Sequence, residues 1–104
     1  MKAYVAIGHF KDSENTISVA MMAHTKKDFM CDLRGNEFVQ YVVLTERMIE
    51  KIREAAAADG CFGIFEQVKK LTTNYRVWNE VTDYLEQCFD IIEERVKAAR
   101  TEQL

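Results

Sequence analysis

Ala3-Tyr4-Val5-Ala6-Ile7-Gly8-His9-Phe10 is apolar on both alternating faces, with Val5 and Ile7 on one and Tyr4, Ala6 and Phe10 on the other. A strand with one wet side alternates apolar and polar residues, so a strand without a polar side belongs in the interior of a sheet. The polar run Lys11 to Asn15 reads as a turn. Thr16 to Ala23 follows it, with Ile17, Val19 and Met21 alternating against Thr16, Ser18 and Ala20. The pair predicts a β-hairpin. Phe38 to Leu44 (FVQYVVL) is a third strand. The most apolar strand takes the centre, which gives a three-stranded antiparallel sheet in the order 2-1-3. Its second and third strands run parallel to each other and are joined by a helical crossover.

Helical signals fill the rest of the chain. Thr25-x-x-Asp28 is a capping pattern for a short helix with Phe29, Met30 and Leu33 buried and Gly35 as its stop. Thr45 caps a second helix, with Leu44 and Ile49 at the two positions of a hydrophobic staple. Met48, Ile49, Ile52 and Ala56 form its buried face, and Asp59-Gly60 ends it. Ile64, Phe65, Val68 and Leu71 mark a third helix. From Thr72 to Arg100 runs the longest uninterrupted helical pattern, capped by Thr72, Thr73 or Asn74. The order is ββαβααα, an α+β fold in a single domain spanning residues 1–104 and closed by a long C-terminal helix. The crossover helix is expected to cover one sheet face. The last three helices then find apolar surface on that same face or on a partner chain.

On the long helix, Trp78, Val81, Leu85, Cys88 and Ile92 fall at steps of three or four, and Val77, Tyr84, Phe89 and Ile91 widen the stripe. That width exceeds the seam of a two-stranded coiled coil and points to more than one neighbour. Trp78, Tyr84, Leu85, Phe89 and Ile92 are therefore the candidate residues of a self-association interface, a homodimer through the C-terminal helix. The polar side carries Glu80, Asp83, Glu86, Asp90, Glu93 and Glu94 with no Lys or Arg among them. A row of carboxylates attracts a basic protein surface, and its sharpest form is an inhibitor that imitates nucleic acid.

Composition excludes several classes. Hydrophobic residues at 48% and charged residues at 30% are those of a globular chain, outside the disordered class. No apolar run approaches the roughly 20 residues that a spanning helix needs. Three cysteines at wide spacing, with Met1-Lys2 leading directly into a strand, point to a reduced, cytoplasmic protein. The formal charge of -3 gives no overall attraction for nucleic acid or an anionic membrane.

Other chemistry is thinly signalled. His9 and His24 lie at opposite ends of the hairpin, about 23 Å apart at 3.4 Å per residue, too far to share a metal. No cysteine pair or histidine has zinc-ligand spacing, so neither metal nor cofactor is expected. Cys88 reads as a small buried hydrophobe, and Cys31 and Cys61 sit near helix ends. Lys26 and Lys27 occupy a helix's first turn, where a bound anion is welcome. Tyr4, Phe10, Phe38 and Tyr41 offer a base-stacking platform if their sheet face is open. No P-loop, H-E-x-x-H or G-x-S-x-G supports an enzyme. The expectation is a protein-binding module, with nucleic-acid binding through the sheet face or Lys26 and Lys27 as the alternative. A small enzyme using a cysteine is a third.

Overall fold

Both faces of the first strand need cover, and the fold supplies a helical layer for each. The computed structural model describes residues 1–102. Its elements are β1 (Lys2–Phe10), β2 (Ile17–Ala23), α1 (Lys26–Gly35), β3 (Phe38–Thr45), α2 (Glu46–Asp59), α3 (Cys61–Lys69) and α4 (Tyr75–Glu102). The sheet is antiparallel in the order β2-β1-β3, with β1 central.

Tyr4, Ala6 and Val43 face α1 and form one core with Phe29, Leu33 and Phe38. Val5, Ile7, Val42 and Leu44 face the other way and form a second, larger core with residues of α2, α3 and α4. The three late helices thus lie on the face opposite α1. This corrects the expectation that they share its face or need a partner chain. The physical reason is in β1 itself: Val5 and Ile7 are fully buried, and a ten-residue helix on the other side leaves them uncovered.

The caps follow the sequence signals with two adjustments. Thr25 accepts from the Asp28 N–H and Thr45 from the Met48 N–H, while Leu44 and Ile49 share one core. Asn74 starts α4 by accepting from the N–H groups of Arg76 and Val77. Gly35 is not the stop of α1. It is the last helical residue, and the left-handed conformation falls on Glu37 at φ 60. The chain can place a glutamate there because the side chain stays in water and the Glu37 carbonyl accepts from the Lys11 N–H. Nor is α4 uninterrupted, since Cys88 has non-helical angles and bends it. Before the bend its contacts go to α3 and β2, through Trp78 and Tyr84. After it, Glu93 and Arg100 pair with Arg53 and Glu46 of α2.

Two close approaches fix the packing. A Cβ on Gly63 would run into the Ala55 carbonyl, so α3 can cross α2 only with glycine there. Gly8 lies against Tyr41, where a Cβ would come within 2.6 Å of the Tyr41 Cβ. Opposite it, β3 carries a bulge with Gln40 at φ 49, and the pairing shifts register between Ile7 and His9.

Candidate functional site

The wide stripe of α4 is occupied largely by its own chain. Leu85 and Ile92 are 0% exposed, inside the core with Val77 and Val81. They are not available to a second chain in this conformation. The flanks have separate neighbours. On one side Tyr84 meets β2, its hydroxyl 2.7 Å from that of Ser18. On the other, Phe89 lies under the Arg53 guanidinium, and the Trp78 indole N–H donates to the Phe65 carbonyl.

Trp78 is the centre of an aromatic cluster. Its ring stacks on Phe65 with centroids 4.0 Å apart and meets Tyr75 edge-on at 5.7 Å. Phe62 stands one turn from Phe65 on the same side of α3. Tyr75 and Phe62 are each 67% exposed, the largest exposures of any aromatic residue in the described chain. Lys69 adds its ammonium 5.8 Å from the Trp78 ring centroid, drawn by the negative face of the indole. Trp78 was legible in the sequence as part of the stripe; Phe62 and Tyr75 were not. The available signal was the i, i+3 pair Phe62 and Phe65, which a helix of nine residues cannot bury together with Ile64 and Val68.

The acidic row divides by helix face. Glu80 pairs with Arg76 at 3.2 Å, and Glu93 with Arg53. Asp83, Glu86, Asp90 and Glu94 face solvent, and among the described residues no Lys or Arg lies within ion-pair distance of them. Glu86 instead accepts from the Cys61 thiol at 3.2 Å, beside Phe62. Hydrogen bonding to that carboxylate, and its charge, hold the Cys61 thiol above its ordinary pKa. That is the opposite of what a nucleophilic cysteine needs. The row and the aromatic cluster therefore meet at the α3–α4 contact.

The remaining candidates lie apart. Lys26 and Lys27 are exposed in the first turn of α1, with Asp28 beside them. Tyr4 and Phe38 are buried under α1, Tyr4 stacked on Phe29, while Phe10 is 40% exposed and Tyr41 half-buried, so two of the four sheet aromatics are withdrawn from a platform for bases. Cys31 is exposed, Cys88 is half-buried at the bend, and neither is in a disulfide. Among the described residues no group of three His, Cys, Asp or Glu converges as a metal site, and no helix is long and apolar enough to cross a membrane.

His9 lies at the hairpin end, where a shallow pocket brings it near Arg76 and Glu80 of α4. Its two ring nitrogens face oxygens, Gln40 Oε1 at 2.9 Å and the Phe10 carbonyl at 3.0 Å. Only the imidazolium donates to both, so these two acceptors raise the His9 pKa above its ordinary 6.5. A cleft of about 570 Å³ opens between α2 and the end of α4. Glu46, Arg47, Glu50, Arg53 and Glu93 line it with mixed charge, and no nucleophile stands beside a base. Compared with known proteins, the chain matches no family model, no curated protein and no solved structure.

Proposed function

We propose that the protein is a protein-binding module whose working surface is the aromatic and acidic face of α3 and α4, and that its partner is basic. The observation that carries this reading is the exposure of Phe62 and Tyr75 beside the stacked Phe65–Trp78 pair. Large aromatics are costly to leave in water and are the side chains that anchor interfaces when a partner covers them. Two features support a cationic partner. Among the described residues, Asp83, Glu86, Asp90 and Glu94 hold four charges outside any ion pair, and the Trp78 ring already draws an ammonium from Lys69. A partner lysine or arginine beside an apolar side chain gains from both, and the carboxylates steer its approach.

Trp78 is the chain's one tryptophan, so its fluorescence reports this surface without a label. Titration with a peptide carrying lysines or arginines around a leucine should shift the emission, and affinity should fall as salt rises. Phe62→Ala with Tyr75→Ala should weaken binding about tenfold or more, the loss of roughly 1.4 kcal/mol or more typical of an interface anchor. Asp83→Asn with Asp90→Asn should mainly slow association. Equal binding of a charge-neutral peptide, or full affinity in the aromatic double variant, would sink the reading.

A further inference from the structure

We infer that β2 is a docking edge for a second copy of this chain, joined antiparallel about a two-fold axis through Ala20, so that two sheets become one of six strands. Both β2 and β3 are edges of the sheet, and they differ in protection. The edge of β3 is broken by the bulge at Gln40. By contrast β2, Ile-Ser-Val-Ala-Met-Met-Ala, has seven residues without a charge, a proline or a bulge. An edge of that kind presents an open row of N–H and C=O groups, a template for another strand.

The side chains on both faces of this edge match the same occupant. On the α1 face, Ile17, Val19 and Met21 are only half-buried, and Val19 and Met21 border a mostly apolar furrow shared with Phe10, Leu33 and Phe38 and closed by Asp32 and Asn36 of the α1 end. Antiparallel pairing centred on Ala20 puts Val19 of one copy opposite Met21 of the other, and Ile17 opposite Ala23. On the opposite face, α4 packs under β2 and β1, held at Ser18 by Tyr84. Past the bend Ile91 is 40% exposed, and it lies two residues before Glu93, which pairs with Arg53, so it stands on the side of α4 turned away from α2.

The spacing suits a second copy. Strands lie about 4.8 Å apart, so two helices each lying between β1 and β2 of their own copy come to about 10 Å across the axis, the distance at which helices pack. The interface is then self-complementary, as a two-fold dimer requires, with strand against strand and the Tyr84 and Ile91 flank against its mate. It does not rest on the basic-partner reading. Phe62 and Tyr75 lie on the α3 side of α4 and stay free in the dimer.

Light scattering on the full chain across a concentration series should give twice the 12.1 kDa chain mass. Ile91→Glu and Met21→Lys each place a charge on half-exposed ground, and each should weaken dimerisation at least tenfold with the circular dichroism unchanged. A chain carrying Cys31→Ser, Cys61→Ser, Cys88→Ala and Ala20→Cys should form a disulfide dimer on oxidation. Residues opposite each other on the axis come within disulfide reach. Met22→Cys in the same background should not cross-link, because its mate is about 14 Å away along the strands. A monomer at every concentration overturns the inference. So does a dimer indifferent to both charged variants that fails to cross-link at position 20.

Discussion

His9 carries a pH dependence that can be assigned to named atoms. Gln40 Oε1 first, and then the Phe10 carbonyl, favour the imidazolium and raise its folded pKa above 6.5. A raised folded pKa means that the folded state binds the proton more tightly. The contribution is therefore fully present below about pH 6.5 and is lost as pH rises through the folded value. A proton NMR titration should place His9 above 6.5, and Gln40→Ala should bring it back toward that figure. An unchanged midpoint in the variant would mean that the Gln40 contact does not hold in solution. The sequence could not foretell this pair: His9 and Gln40 are 31 residues apart, and they meet because the bulge turns Gln40 into the left-handed region.

At the scale of elements, one residue that sequence reasoning passed over is hard to replace. Gly63 reads as a weak point in a short helix, where alanine should add about 1 kcal/mol through helix propensity. The α2–α3 crossing reverses that sign, because a methyl group there meets the Ala55 backbone carbonyl, which cannot rotate away. Overpacking of this kind costs about 1–3 kcal/mol. Gly63→Ala should lower the melting temperature by several degrees in a calorimetric scan, and a rise would show that the helices separate without penalty. Local chemistry, in contrast, was readable. The caps at Thr25 and Thr45 and the strand periods sit where the sequence placed them, since each depends on residues within one or two turns. The bend at Cys88 has no proline or glycine to announce it.

For the whole molecule, the sheet order followed from one strand being apolar on both sides. The assignment of helices to faces did not, because it depends on which long-range contacts close the second core. Leu85 lies at the centre of that closure. Leu85→Ala should cost about 2–5 kcal/mol, a large part of the 5–15 kcal/mol that holds a domain of this size. Ile91→Ala on the exposed flank of the same helix should stay within about 0.5 kcal/mol in a dilute urea titration of the monomer. Comparable losses at the two positions would contradict the burial of one and the exposure of the other.

The central place of β1 also sets an order of events during synthesis. Val5 and Ile7 emerge first, yet their partners on β3 come more than thirty residues later, and Val81, Leu85 and Ile92 come last of all. The hairpin with β2 and the crossover through α1 can form as soon as they appear. The larger core must wait for α4, so its apolar sheet face stays open through most of translation. A chain that has emerged only as far as Tyr75 therefore presents a half-clad sheet, the state in which chaperones and aggregation compete for it.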